Sequence, residues 1–124
     1  MARVADYSII ADDWVVEAQQ DTIYFDVPST IDDVSPGVLG FMLHTHNLDD
    51  MTLSLRLNGV KVWEYFFPDG DRLQFYQEVI DPGVVVSGPN VFSFESSSGD
   101  YRLIRLSDIV LWWQANISNG RKNE

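Results

Sequence analysis

The sequence predicts an all-β protein built as an antiparallel β-sandwich, with about eight strands and little or no helix. Short apolar segments recur along the 124 residues, and turns rich in Gly, Pro and Asp separate them. The segment Ile109–Trp113 is apolar at every position, so a strand formed there must be covered on both faces. No apolar repeat has both the spacing and the length of a helix. Two packed sheets satisfy all of these observations.

The predicted strands follow one another along the chain with short turns between them. The strands are residues 14–18, 22–27, 38–47, 52–57, 60–66 and 73–80, then 91–95 and a last strand that ends at Gln114, with residues 84–86 as a short strand or an extended loop. Turns are predicted at Leu48–Asp50 and Pro68–Asp71, and Ser96–Asp100 is predicted to join the last two strands as a hairpin. Residues 1–13 and 115–124 lack core periodicity, which predicts an N-terminal arm and a C-terminal tail on a single domain.

The clearest hairpin is centred on Asn58-Gly59, because these two residues accept the positive φ angles of a type I′ turn. A two-residue loop fixes the pairing of the flanking strands, which places Leu57 opposite Val60 and Leu55 opposite Val62. This apolar face is predicted to be the core face.

The other face of the same hairpin carries the candidate binding residues, Trp63, Tyr65, Arg56 and Lys61. Aromatic rings beside cations outside a core are typical of sugar stacking or of a protein interface. The alternative is that a chain terminus folds over this face and covers it.

Three short motifs stand in a characteristic order along the chain. They are Leu57-Asn58-Gly59, then Gly88-Pro89-Asn90 ahead of an aromatic strand, then Ser107-Asp108-Ile109 at the start of the last apolar segment. In this order they resemble galactose-binding-like jelly rolls, which are β-sandwiches similar to carbohydrate-binding modules. The resemblance covers residues 50–114 and implies a jelly-roll topology. Its motifs are structural, so it transfers no sugar or calcium ligand to a numbered residue of this chain.

The composition bounds the domain and its partners. One domain fits 124 residues, and a hydrophobic fraction of 45% is enough to build a core. The chain has no Cys, which excludes disulfides and thiolate metal sites. The formal net charge is −11, with the acidic residues concentrated in the first 50 positions and a net basic C-terminal segment. An acidic body repels phosphate, so we expect no nucleic acid and no membrane partner. The negative charge is explained by solubility, and the alternative is that the acidic and basic ends of neighbouring copies or subunits attract each other.

The N-terminus shows no signal peptide, because Arg3 supplies one positive charge and no apolar region follows. No apolar run reaches membrane-spanning length. We therefore expect a soluble protein that is cytoplasmic or released as part of a particle, and extracellular only if a leader was removed.

His44 and His46 would point to one face of a strand, with Asp50 close behind them. This spacing resembles the first metal-binding motif of cupins, but the chain has no third His, so no metal site is predicted. A structural calcium ion stays open as the one possible cofactor, since Asp binds calcium as well as forming turns. The Asp clusters concerned are Asp12-Asp13, Asp32-Asp33, Asp49-Asp50 and Asp69-Gly70-Asp71.

The chain shows no nucleophile elbow, no phosphate-binding glycine loop and no paired nucleophile and base, so we expect a protein that is not an enzyme. The first hypothesis is an accessory surface subunit of a larger protein assembly, such as a decoration, tail or fibre component of a phage or virus-like particle. Such a subunit binds a protein partner or copies of itself. The alternative is a carbohydrate-binding, lectin-like module that stacks sugar rings on exposed aromatics.

Overall fold

The computed structural model describes residues 2–15, 20–97 and 104–117. These residues form six β-strands joined by turns and bends, and none of them is helical. The strands are β1 (Ala2–Val15), β2 (Gln20–Val27), β3 (Gly37–Leu57), β4 (Val60–Ile80), β5 (Gly88–Ser96) and β6 (Ile104–Ile117). No helix that could cross a membrane is found in this part of the chain.

Strands β3 and β4 are each 21 residues long and pass through both layers of the sandwich. The first part of β3, Val38–Thr45, pairs with β6, and its last part, Leu53–Leu57, pairs with β5. Strand β4 follows β3 back as its antiparallel partner. Sheet I therefore has the order β1-β6-β3-β4, and sheet II has the order β2-β5-β3-β4. Counted by layer, the described residues form eight strand segments in two antiparallel sheets, which confirms the predicted sandwich and gives it the jelly-roll order.

The two turns predicted at Leu48–Asp50 and Pro68–Asp71 are bends within continuous strands. The register between β3 and β4 shifts just before the first of them, and Asp50 takes a φ of 46°. The second lies directly opposite the first in the ladder. The apolar pattern is therefore interrupted where the sequence predicts it. At these points, however, each strand bends from one sheet into the other, whereas a turn would have reversed its direction.

Both ends of the chain contribute more to sheet I than the sequence predicts. Residues 2–13, predicted as an arm, belong to the edge strand β1, which pairs with β6. Their pattern is weak because an edge strand that exposes several Asp side chains needs few buried positions. At the other end, Ala115 is buried and pairs with Val4, so β6 continues into the predicted tail. Residues 118–124 lie outside the described residues.

Strands β5 and β6 do not form the predicted hairpin. In the described residues, β5 pairs with β2 and β3, whereas β6 pairs with β1 and β3, so the two strands lie in opposite sheets. Most of the predicted turn Ser96–Asp100 falls outside the described residues. The segment Ile109–Trp113 is central as predicted, because β6 lies between β1 and β3.

The core fills the space between the two sheets and consists mainly of aliphatic and aromatic side chains. Trp14 of β1 packs against Phe92 and Phe94 of β5, with ring centroids 5.8 and 6.1 Å apart, and so joins sheet I to sheet II. The largest fully buried side chains are Phe41, Phe67, Phe92, Phe94, Leu39, Leu43, Met51, Leu53, Leu55, Leu57, Ile80 and Ile104. Burial of each large apolar side chain stabilises the fold by about 1.5–3 kcal/mol.

The motifs behind the jelly-roll resemblance have structural roles in this fold. Asn58 and Gly59 take φ angles of 49° and 83°, which confirms the predicted turn. The Asn58 amide donates to the side-chain oxygen of Asn90 over 2.8 Å, so the first motif is bonded to the second. Asp108, in the third motif, takes a φ of 50° where β6 bulges against β3.

Candidate functional site

Trp63 and Tyr65 lie on the core face of sheet II, so their predicted position on the outer face is wrong. The hairpin leaves its turn in the predicted register, but Leu55 then pairs with Trp63. Val62 is therefore an extra residue, a β-bulge, which reverses the faces of the β4 side chains that follow it until the register shifts again beyond Gly70. Trp63 is only 6% exposed, so it offers no open surface to a ligand.

The Trp63 ring joins the two sheets across the core. Its centroid lies 5.0 Å from that of Phe41 and 5.1 Å from that of Tyr76, both in sheet I. Tyr65 stacks 6.3 Å away at 14° from parallel and stays 41% exposed, with the Arg72 guanidinium above its ring. Burial raises the pKa of Tyr76 above its ordinary value. The contacts of this cluster make it part of the packing between the sheets.

Arg56 and Lys61 do lie on the outer face of sheet II, as predicted. The Lys61 ammonium donates to Glu64 over 2.8 Å, and this bond, with a second from the Ser54 hydroxyl, lowers the pKa of Glu64. Arg56 has a looser contact, with Nη2 lying 3.9 Å from Oε1 of Glu95. Lys61 is thus occupied by its own strand, whereas Arg56 faces the neighbouring strand β5.

A groove of about 220 Å³ lies on the outer face of sheet II, where β2 and β5 run side by side. We call it the β2–β5 groove, and it is lined by Gln20, Asp21, Thr22, Arg56, Ser93, Phe94 and Glu95. The strand register accounts for this set, because Thr22 pairs with Ser93 and Gln20 with Glu95. The β2–β5 groove therefore combines one of the four predicted site residues, Arg56, with residues that the sequence analysis did not select.

The polar groups of the β2–β5 groove are partly fixed and partly available. Gln20 Nε2 donates to Oε2 of Glu95 over 2.9 Å, which orients the carboxylate. Among the described residues, no hydrogen bond engages the side-chain hydroxyls of Thr22 and Ser93. The groove thus offers a guanidinium, a carboxylate and two unengaged hydroxyls to a polar ligand.

Tyr24 presents an aromatic ring beside the β2–β5 groove. It follows Thr22 on the outer face of β2, pairs with Val91 and is 74% exposed. The alternation of residues 22–27 is the signal that could have identified this face, since the even positions point outward and the odd positions pack inward. The register of β2 against β5, which brings the groove together, has no comparable signal in the sequence.

The predicted alternatives for a metal site are placed as follows. His46 Nδ1 lies 3.4 Å from the carboxylate of Asp71 on the adjacent part of β4, and His44 is exposed. Asp32 is buried and accepts a 2.6 Å hydrogen bond from the Ser35 hydroxyl, which fixes the turn before β3. Within the described ranges, no three His, Cys, Asp or Glu side chains are grouped closely enough to hold a metal ion. The structural calcium ion stays a prediction.

The outer face of sheet I carries a large apolar area, which has Gln77 within it and the ion pair between Arg105 and Asp13 at one end. We call it the sheet I face, and its apolar residues are Tyr7, Ile9, Val38, Met42, Leu73, Phe75, Val79, Val110 and Trp112. Gly40 lies at its centre, where an added Cβ would meet the rings of Trp112 and Phe75 at 2.6 and 2.8 Å. The rings of Trp112 and Phe75 therefore pack directly on the Gly40 backbone and cover the middle of the face. An apolar surface that extends over four strands is typical of a contact with another protein.

No protein-family model and no curated protein sequence matches the chain. Solved structures do match. The dimeric latent PorU of Porphyromonas gingivalis has 11% identity and a TM-score of 0.64 over 92% of this chain and 13% of that chain. A β-porphyranase of glycoside hydrolase family 86 from Bacteroides plebeius has 14% identity and a TM-score of 0.56 over 94% of this chain and 21% of that chain. The C-terminal domain of EclA, described as a sugar-binding protein, has 8% identity and a TM-score of 0.51 over 90% of this chain and 79% of that domain.

These likenesses are in the fold alone, and they agree with the jelly-roll sandwich that the motifs imply. The chain spans 13% of PorU and 21% of the porphyranase, so it corresponds to one part of each of those longer chains.

Proposed function

We propose that this domain is a non-catalytic carbohydrate-binding module that holds sugar in the β2–β5 groove. The observation that carries the proposal is an open polar groove on a sheet face with the Tyr24 ring standing exposed beside it. Sugars present an apolar C–H face and a rim of hydroxyl groups. An aromatic side chain covers the former, and fixed polar groups bond the latter.

The comparisons support this hypothesis more than that of a virion subunit. EclA, whose domain is described as sugar-binding, has a similar fold over most of its length, and a glycoside hydrolase contains a similar part. The names of these proteins offer no support for a decoration, tail or fibre role.

The arrangement of the carboxylates at and beside the β2–β5 groove supports binding and not catalysis. Asp21 accepts hydrogen bonds from the Trp14 indole, over 3.1 Å, and from the Thr22 backbone, over 2.9 Å. Glu95 accepts from Gln20 and faces Arg56. Hydrolysis of a glycosidic bond needs two carboxyl groups that flank the bond and are free to act as acid and base or nucleophile, whereas these two are engaged by other residues of the domain.

The test is binding of the 124-residue chain to a panel of polysaccharides and oligosaccharides, followed by calorimetry on those that bind. We expect Tyr24→Ala to weaken binding about tenfold or more, because a stacked ring contributes roughly 1 kcal/mol or more beyond its buried area. Phe66→Ala is the matched control, since Phe66 is an exposed aromatic at the far edge of the same sheet. The proposal is wrong if no glycan binds, or if both variants bind equally well.

The sheet I face favours a second candidate function, which is self-association. We propose that a second copy of the chain covers this face, packing sheet on sheet as the layers of a sandwich do. The face lacks charged residues at its centre, although the chain carries a net charge of −11. Two acidic copies meet there at the lowest electrostatic cost. This candidate keeps one part of the hypothesis of an accessory subunit, which is that the chain binds copies of itself.

Light scattering coupled to sizing, repeated over a wide concentration range, tests this second candidate. We expect a dimer that Leu73→Asp separates, because Leu73 is 69% exposed on the sheet I face and a buried aspartate would lack a partner. Val60→Asp, at the tip of the β3–β4 hairpin, places the same charge at an exposed apolar residue outside the face and should leave the dimer intact. A monomer at all concentrations excludes self-association.

A further inference from the structure

We infer that the domain binds an internal stretch of a linear glycan, laid along β2, and not a single terminal sugar, an inference that rests on the proposed carbohydrate binding. Three features of the domain carry it. They are a second groove at the far end of β2, an exposed surface between the two grooves, and hydrogen-bonding groups in both of them.

The second groove has a volume of about 210 Å³ and lies beyond the last residue of β2. We call it the end groove, and it is lined by Ser29, Ile31, Asp33, Val86 and Ser87. Ser29 follows β2 by two residues, and Ser87 directly precedes β5. Val27 at the end of β2 pairs with Gly88 at the start of β5. The end groove therefore lies at one end of this two-strand ladder, and the β2–β5 groove lies at the other.

The outer surface of β2 connects the two grooves. Thr22 lines the β2–β5 groove, and the next two side chains on the same face, Tyr24 and Asp26, are both exposed. At a rise of about 3.3 Å per residue, the eight residues of β2 span about 23 Å, which is longer than one sugar ring. A single sugar can therefore occupy one groove only, whereas a chain of several sugars can lie across Tyr24 and reach both.

Both grooves carry groups that bond sugar hydroxyls. In the β2–β5 groove, Arg56 Nη2 lies 3.9 Å from Glu95 Oε1, so a hydroxyl between them can accept from the first and donate to the second. In the end groove, no hydrogen bond from the described part of the chain engages the hydroxyls of Ser29 and Ser87. Both grooves are open at the surface, so neither would stop a glycan chain from continuing past it.

The experiment uses the full chain and the glycan that binds best in the panel, cut into a series of oligosaccharides from one unit upward. We expect the affinity to rise with length until both grooves are reached, with the single sugar about tenfold or more weaker than the longest member, because linked contacts bind together. Calorimetry with the uncut glycan should find several copies of the domain on each chain, since internal segments outnumber ends.

Two double variants separate the contributions of the grooves. Ser29→Ala with Ser87→Ala should weaken binding of the long oligosaccharides by about tenfold and leave the shortest unchanged, because only a long ligand reaches the end groove. Thr22→Ala with Ser93→Ala should weaken binding of short and long ligands alike. The control Ser107→Ala, on β6 in sheet I, should change neither.

Three results would each overturn the inference while leaving the proposed function in place. They are an affinity that does not depend on length, a single copy of the domain on each uncut chain, and an end-groove variant that binds the long oligosaccharides as tightly as the parent. Failure to bind any glycan overturns the proposed function and this inference with it.

Discussion

Individual side chains hold this fold together at positions where the backbone cannot bond to itself. Asn90 is fully buried, and its amide donates to the carbonyls of Val86 and Gly88 while its oxygen accepts from the Val86 amide and from Asn58. Asn58 in turn accepts from the Val91 backbone. Two short motifs separated by about thirty residues thus form one hydrogen-bonded network at the start of β5.

We predict that Asn90→Ala lowers the free energy of unfolding by about 3 kcal/mol, because it strands several buried backbone groups. Asn90→Asp should be destabilising too, since the aspartate keeps the acceptor but loses both donors. Urea denaturation measures both. Gln77→Ala, at an exposed position of β4, should change stability by less than about 0.5 kcal/mol. An Asn90→Ala protein as stable as the parent would show that water replaces the network at no cost.

Tyr76 gives the protein a specific alkaline sensitivity. Burial raises the pKa of its phenol in the folded chain above the ordinary value of 10.0. Its contribution to stability is therefore complete below pH 10, and it is lost as the pH rises through the folded pKa, since the unfolded phenol ionises first. We predict that the protein loses stability above pH 10 and that Tyr76→Phe loses less. The difference between their absorbance titrations gives the pKa of Tyr76 directly, and a value at or below 10.0 contradicts the prediction.

At the scale of single strands, the sequence predicts the position of most segments but not how they face each other. The turn at Asn58-Gly59 is right because two residues with positive φ specify it locally. The outer face predicted for Trp63 and Tyr65 is wrong because the bulge at Val62 has no local sequence signal. Packing of the Trp63 ring between the sheets stabilises the bulged register, and that contact is visible only in the folded chain.

The long strands β3 and β4 also show that the sequence predicts the position of a segment better than its arrangement in the fold. Polar residues interrupt the apolar pattern at 48–50 and 68–71, and this is enough to predict about eight segments. Whether such an interruption reverses the chain or bends it depends on the partner strand, which has its own interruption directly opposite. The β2–β5 groove could not be predicted either, because it depends on the pairing of two strands that lie about seventy residues apart in sequence.

Deleting Val62 tests the bulge. We predict that the deletion keeps Leu55 opposite Trp63 and costs about 1 kcal/mol, the loss of one half-buried side chain. Deleting Glu64 instead forces either Trp63 or Phe67 out of the core, which should cost about 3 kcal/mol or more. Chemical denaturation gives the two costs, and quenching of tryptophan fluorescence reports exposure of Trp63. Equal costs for the two deletions would be inconsistent with a bulge at Val62.

At the scale of the whole molecule, the two sheets are not independent layers. Both β3 and β4 run from one sheet into the other, and the buried side chains form one continuous cluster in the described residues. Trp14 and Trp63 also join the sheets, each through ring contacts across the core. Unfolding one sheet would therefore release strands and remove packing from the other.

We predict from this shared architecture that the domain unfolds in a single cooperative transition, with a urea slope of roughly 1–3 kcal/mol/M. Leu39→Ala weakens the core side of sheet I and Phe94→Ala that of sheet II, and both residues are buried. Each variant should move the whole transition to lower urea, and circular dichroism and tryptophan fluorescence should report the same midpoint. In each variant, exchange of the most protected amides should speed up by the same factor in both sheets, because opening either sheet opens the other. Two transitions, or a variant that melts one sheet while the other stays protected, would show that the bends in β3 and β4 separate the layers instead of coupling them.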